Sequence, residues 1–387
     1  MKTLISLASL LAAAGAAHAQ VYHSTDLGTL GGQTFGFFVS DSGLALGTAS
    51  VPGTQDFHAA AFRAGLLTDL GTLPGDSQSI AYAADSSGRI IGLSFSLGSL
   101  TQHAFASANG SLAPLGEFAP RSANARGDIV GALSRTVAGF GLVDRACVLT
   151  SGSSTPVELS TLGGSNSFAF GTNNLIPLHV VGLSFTPNDA NPHATLWIDG
   201  VIHDLGTLGG AKSGAYGMNA SRSIVGVADN PAGMPHAFRF VVDAAGNVTS
   251  RTDLGFLAGN QSCAYSINDA GQIVGNSNAR ACLWDASGIH DLNQMIPPGT
   301  QWVLESAQWI SQTGRIIGRG SLLGFPHAFL LTPCAADFNY DGLVNSQDFF
   351  DFLTAFFSVA PGADFNGSGL VDSQDFFDFL SEYFVGC

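Results

Sequence analysis

The heptapeptide DLGTLGG begins at Asp26 and comes back in altered copies through most of a 387-residue chain. It reads DLGTLPG at Asp69, PLGEFAP at Pro114, ELSTLGG at Glu158, DLGTLGG at Asp204, DLGFLAG at Asp253 and, degraded, DLNQMIP at Asp291, at spacings of 38 to 49 residues. An internal period of this length restricts a chain to arrays in which each unit buries its apolar face on its neighbours. Within each unit an apolar pair and a glycine follow: Ile90-Ile91-Gly92, Ile129-Val130-Gly131, Val180-Val181-Gly182, Ile224-Val225-Gly226, Ile273-Val274-Gly275 and Ile316-Ile317-Gly318, with Ala45-Leu46-Gly47 the weakest. A His-Ala-Phe-like segment comes next at His103, His193, His236 and His327; it is stretched at His58 and replaced by Arg145-Ala146-Cys147 and Arg280-Ala281-Cys282.

Each unit reads as four short strands bounded by Gly, Asn and Asp turns, as in Asn268-Asp269-Ala270-Gly271. Four strands per unit of about 40 to 45 residues predict a mainly β, seven-bladed propeller over residues 20–332. The last unit stops after its third strand, while Tyr22–Leu27 is a lone fourth strand at the other end. Joining the two would close the ring and leave no open sheet edge. A solenoid is the competing architecture, and it requires capping ends that the sequence does not offer.

The combined pattern DLGTLGG … INDAGQIVG … HAF resembles the extracellular HAF-repeat proteins, and the likeness covers roughly residues 22–332. That resemblance implies no reaction. A residue repeated once per blade lies on a circle around the axis, so the histidines are expected to hold blades together rather than to share a metal. The Asp of Asp-Leu-Gly is expected to bond nearby backbone N–H groups. Phe37, Tyr82, Phe170, Tyr216 and Tyr265 occupy equivalent places at the first strand, with Arg121 and Gln308 in the remaining units. Plain core packing is the favoured reading of these residues; since first strands line a propeller channel, the alternative is an aromatic collar at one mouth, a surface suited to sugars or peptide side chains. The chain has no G-x-S-x-G elbow, no H-E-x-x-H and no glycine-rich phosphate loop. No catalytic residue is assigned, and the scattered Glu117, Asp144 and Glu305 form no recognisable pair.

The first residues, MKTLISLASLLAAAGAAHAQ, have the charged start, apolar middle and Ala17-His18-Ala19 end of a secretory signal peptide spanning residues 1–19. A net charge of −15 argues against nucleic acid and anionic membranes. Residues 334–387 hold nine Asp and Glu and no Lys, Arg or His, which marks them as a separate unit. Five cysteines in an exported chain can pair with one left over. Cys334 and Cys387 bracket the acidic unit, Cys263 and Cys282 are candidate partners, and Cys147 remains. Cys387 can alternatively stay free for covalent anchoring.

That unit contains DFNYDGLVNSQDFFDFLTAFF at Asp337 and DFNGSGLVDSQDFFDFLSEYF at Asp364, identical at 15 of 21 positions. Asp337, Asn339, Asp341, Leu343, Asn345 and Asp348 have the spacing of an EF-hand calcium loop, as do Asp364, Asn366, Ser368, Leu370, Asp372 and Asp375. Two Ca2+ ions are the expected cofactors, with Ser368 weakening the second site. Apolar residues then fall at helical spacing, with Phe349, Phe350, Leu353, Phe356 and Phe357 repeated as Phe376, Phe377, Leu380, Tyr383 and Phe384 and widened by Phe352 and Phe379. Two facing helices are expected to bury most of them. These repeats resemble dockerins, more narrowly the Gly-Cys-ending form of planctomycete-type proteins, here over residues 333–387. The resemblance implies a cohesin-like or other cell-envelope partner, contacted through Ser346, Gln347, Ser373 and Gln374; helix capping is the alternative role of those residues. The expectation is a secreted, non-enzymatic binding or scaffold protein docked to a surface complex. The alternative is a polysaccharide-degrading propeller enzyme carried by a dockerin.

Overall fold

The computed structural model describes residues 22–99, 101–108, 110–137, 141–339, 344–366, 368 and 370–385. The expected signal peptide, Asp341, Leu343 and Cys387 lie outside the described residues. One compact unit holds Tyr22–Cys334 and a second contains Ala335–Cys387.

Tyr22–Cys334 forms seven four-stranded antiparallel sheets. In six of them the strands follow in chain order, as in Ser213–Met218, Ser223–Asp229, Pro235–Val242 and Val248–Asp253. The seventh takes Trp302–Ile310, Ile316–Leu322 and Phe325–Pro333 from the end of the repeats and its fourth strand from Tyr22–Asp26. Tyr22 pairs with Pro333 and Asp26 with Phe329 in an antiparallel register. The seventh sheet also meets the first: Thr313 N–H donates to Asp41 Oδ1 at 3.2 Å, and the Arg315 guanidinium donates to the Asp41 carbonyl. The array is therefore a closed seven-bladed β-propeller, and the solenoid is excluded.

The core lies between neighbouring blades. Val181, Leu196 and Leu205 of the fourth blade pack with Ala215, Ile224, Phe238 and Phe240 of the fifth. Both faces of a sheet are covered in this arrangement, so the second strands read as continuous apolar runs rather than alternating ones. The repeated side chains supply the polar ties. His58, His193, His236 and His327 place Nδ1 2.7–3.0 Å from Asp69, Asp204, Asp253 and Asp26, the Asp-Leu-Gly carboxylates on the adjoining strands. The same carboxylates accept glycine N–H groups two residues on, at 2.7–2.9 Å. In the blade whose heptapeptide begins with Pro114 in place of Asp, His103 turns to Asp76 instead at 2.9 Å. Where Arg replaces His, Arg280 bonds Asp291 at 2.8 Å and Arg145 approaches Glu158 at 3.7 Å. The alanine after the histidine donates its N–H to a serine of the next blade, as from Ala194 to Ser213 and from Ala237 to Ser262 at 2.7 and 2.9 Å.

The expected Cys263–Cys282 bridge is corrected: both thiols are free, as is buried Cys147. Cys263 lies on Ser262–Ile267 and Cys282 on Arg280–Asp285, with Ile273–Ser277 between them. Two strand spacings, about 9.6 Å, exceed the Cα reach of a disulfide. Gly275 pairs with Ala264 on one side and Cys282 on the other, so Cys263, one residue along, points to the opposite face. Cys334 is disulfide-bonded.

The second unit holds α1 (Ser346–Phe357) and α2 (Ser373–Val385). Phe352 and Phe379, both fully buried, stack with ring centres 4.0 Å apart and planes 3° from parallel. Phe338 meets Phe352 edge-on at 5.4 Å, and Phe365 meets Phe379 in the same way at 5.6 Å. Of the twelve apolar side chains expected on the facing helices, eight are buried or half-buried, while Phe350, Phe357, Phe377 and Phe384 remain 58%, 78%, 61% and 79% exposed. Each follows a core-facing ring by one residue, about 100° around the helix, beyond the face that a single partner helix can cover.

Candidate functional site: the collar and mouth of the central channel

At the collar one residue of each inner strand drops out of the ladder, and the last inner strand skips a second, Glu305. The pairing of the inner with the second strand skips Phe37, Tyr82, Arg121, Phe170, Tyr216, Tyr265 and Gln308 in the seven blades. A β-bulge of this kind re-aims a side chain, and the glycine of each apolar-pair motif permits it. A Cβ on Gly47, Gly92, Gly131, Gly182, Gly226, Gly275 or Gly318 would stand 1.8–2.3 Å from an inner-strand carbonyl oxygen. The repeated glycine is thus the cause and the collar its result.

The bulged residues form two aromatic arcs. Phe170, Tyr216 and Tyr265 follow one another with ring centres 5.3 and 5.8 Å apart, and Phe37 stands 5.6 Å from Tyr82. Arg121 continues the second arc, donating to Tyr82 Oη with its guanidinium 5.0 Å from the centre of that ring. Gln308 donates to Ser306 Oγ at 2.7 Å. Burial pushes the Tyr216 and Tyr265 phenols well above the ordinary tyrosine range, so both are neutral hydrogen-bonding groups. Cys263 lies beside them, its thiol pushed up to about 12 by burial, which removes it as a nucleophile near neutral pH.

Past the collar, the ends of all seven inner strands converge on a cavity of about 510 Å3, to which Tyr216 also contributes. Its rim is tied from blade to blade. Asn124, Asn173, Asn219 and Asn268 donate to the carbonyls of Asn173, Asn219, Asn268 and Ser311 at 3.1–3.3 Å. Ala125, Ala220 and Asp269 donate backbone N–H groups to Asn174, Asp269 and Gln312 at 2.8–2.9 Å. The mouth is consequently preformed, lined by the aromatic Phe38, Tyr216 and Trp309 and by polar side chains fixed around its edge.

The collar positions were legible in the sequence, but the bulges and the serine ties were not named there. Their signal was the invariant glycine of the second strand, which the opposing carbonyl requires. The repeated histidines lie on outer strands and are engaged by carboxylates.

In the second unit, the last carboxylate of each loop is buried and ties the loop together. Asp348 accepts N–H bonds from Asn339 and Asn345 at 3.1 and 2.9 Å, and Asp375 from Asn366 and Asp372 at 3.1 and 2.8 Å. Those bonds, the one from Asp372 foremost, hold the Asp375 carboxyl below the ordinary range. Ser368 N–H lies 2.9 Å from both Asp364 Oδ1 and Asn366 Oδ1, so these two oxygens converge. The donors are all oxygen, as a hard cation such as Ca2+ demands. Among the described residues no three His, Cys, Asp or Glu side chains gather as a metal centre. Ser346, Gln347, Ser373 and Gln374 are exposed at the helix starts, where Gln347 and Gln374 donate to Asp351 and Asp378 at 2.9 and 2.8 Å.

No family model and no curated protein matches this chain. Among solved structures it is similar to an oligogalacturonate lyase from Vibrio parahaemolyticus, with a TM-score of 0.53 and 10% identity over 80% of this chain and 93% of that one. An oligogalacturonate lyase in complex with manganese gives 0.51 and 13%, over 82% and 94%. TolB from Acinetobacter baumannii gives 0.42 and 10% over 79% of this chain, which spans 64% of that protein's length. At these identities the likeness to the two lyase structures is one of fold alone.

Proposed function

We propose that this chain is an exported, carbohydrate-binding β-propeller attached to a cell-surface or extracellular assembly through its C-terminal unit. The collar carries the reading: seven bulges set five aromatic residues, an arginine and a glutamine on the inner strands, and Tyr216 among them lines a preformed mouth. Aromatic faces stack on the apolar faces of sugar rings, and fixed rim amides and hydroxyls supply orienting hydrogen bonds. The HAF-repeat resemblance and the signal-peptide pattern support export. The dockerin resemblance supports attachment to a cohesin-like or other envelope protein.

In the second unit, Asp337, Asn339, Asp341, Asn345 and Asp348, with the Leu343 carbonyl, would hold one Ca2+. Asp364, Asn366, Ser368, Asp372 and Asp375, with the Leu370 carbonyl, would hold another. The ions would supply cross-links between loop and helix, adding to folding stability.

Two measurements test the reading. Titration calorimetry against neutral and acidic oligosaccharides should show binding by the wild type and at least a tenfold loss in Tyr216→Ala; an unchanged Tyr216→Ala refutes the collar site. Cleavage of any of these sugars would replace binding by catalysis. Chelation of the full chain should lower its helical signal, and calcium should restore it; a signal indifferent to chelator removes the calcium reading.

A further inference from the structure

The duplicated tail folds about a pseudo-two-fold axis. In the repeat, Phe349 corresponds to Phe376 and Phe356 to Tyr383. Phe349 meets Tyr383 and Phe356 meets Phe376, each with ring centres 5.8 Å apart, on either side of the Phe352–Phe379 stack. The start of each helix thus lies beside the end of the other, so α1 and α2 are antiparallel. The axis that relates them runs perpendicular to the plane of the pair, and equivalent side chains of the two helices point to the same side of it.

One side carries the loops: Asn339 donates to Asp348 and Asp351, and Asn366 to Asp375 and Asp378, at 3.1–3.3 Å. Asp348 stands about 100° before the core-facing Phe349 and Phe350 about 100° after it. The four exposed rings therefore share the side away from the loops. Phe350 and Phe357 form one row and Phe377 and Phe384 the other, with half-buried Leu353 and Leu380 nearer the seam. Anchors at i, i+3 and i+7 are those of helix recognition. Helices packed about 8–10 Å apart leave between such rows a strip about one helix wide.

Charge decides what can fill that strip. Residues 334–387 hold nine Asp and Glu and no Lys, Arg or His, a sign that two Ca2+ would not reverse. The whole chain carries −15, so a second copy would bring a like field, and anionic membranes are repelled in the same way. An apolar face under a negative field suits an apolar stripe bordered by Lys or Arg.

From this arrangement we infer that Phe350, Phe357, Phe377 and Phe384 form a docking surface for a cationic amphipathic helix of another protein. This rests on the attachment reading above and gives its partner a chemistry. The apolar stripe of the partner lies along Leu353 and Leu380 between the two rows of rings, and its basic flanks face the acidic unit. The contact is made by the helix faces rather than by the helix starts at Ser346 and Ser373.

The test is fluorescence anisotropy of the full chain, with calcium and about 0.15 M salt, against three labelled peptides of equal length. They are an amphipathic Leu/Lys helix, a Leu/Glu helix, and a Ser/Lys peptide with the charge of the first. The Leu/Lys helix should bind at least tenfold tighter than either of the others. The double variant Phe350→Ala, Phe377→Ala should lose most of that advantage while keeping its helical circular dichroism, which excludes misfolding. Equal binding of the Leu/Glu helix overturns the charge selection; equal binding of the Ser/Lys peptide, or an unaffected double variant, overturns the apolar face. Self-association in sedimentation velocity that the double variant abolishes would assign the face to a second copy, and flotation with phosphatidylcholine vesicles would assign it to lipid; either overturns the proposal. The calcium reading fails separately, through a helical signal indifferent to chelator.

Discussion

At the residue scale, the second-strand glycine decides most. A Cβ on Gly226 would lie 2.0 Å from the Gly214 carbonyl oxygen, and both groups are backbone-anchored. Gly226→Ala should therefore force the bulge to shift, costing about 1–3 kcal/mol, the usual range for overpacking, and moving Tyr216 out of the collar. Urea denaturation reads the first effect and sugar titration the second. His179 gives a pH-dependent term. Burial holds its imidazole below the ordinary histidine range, and the nearby Arg222 and His203 act in the same direction against the hydrogen bond to the Pro177 carbonyl. With the folded pKa lowered, the unfolded chain takes up the proton first as pH falls through about 6.5. His179 thus contributes fully above that pH and progressively less below it. The urea midpoint should fall between pH 7.5 and 5.5, and it should fall less in His179→Gln.

At the element scale, the repeats explain which parts could be read early. Four strands per unit follow from turn residues and apolar runs, and the lone strand at Tyr22 follows from counting. The bulges were hidden because an inserted residue leaves no mark in composition; the glycine that permits it stands one strand away. The fate of Cys263 and Cys282 was equally hidden, since one bulged register decides which face each thiol takes. In the second unit, periodicity located the helices but not the division between core and exposed rings. Phe352→Ala removes half of the central stack, and a buried Phe truncation costs about 3–5 kcal/mol. The expected result is loss of most α-helical circular dichroism at 25 °C, with the β signal of the propeller retained. Phe357→Ala, on an exposed ring, should leave both signals unchanged.

At the scale of the whole molecule, closure joins the two ends of the propeller. Tyr22–Asp26 covers the edge of Phe325–Pro333 and gives His327 its carboxylate at 2.9 Å. Removing residues 22–26 should expose a strand edge and bare the seventh blade's core, where Tyr22 is fully buried. The expected outcome is a concentration-dependent shift to larger species in light scattering and a broadened melting transition; a monomer with wild-type melting would show that closure is dispensable.

The sequence by itself determined the number of blades, the order of strands and the joining of the ends. All of these depend on a period and on local turn chemistry, which a linear chain carries in full. Only the tertiary structure decided that the collar side chains sit on bulges. It also decided that the histidines are engaged within their blades and that four phenylalanines stay exposed. Each of these depends on which atoms from distant repeats come within a few ångströms, and the spacing of residues along the chain does not encode that distance.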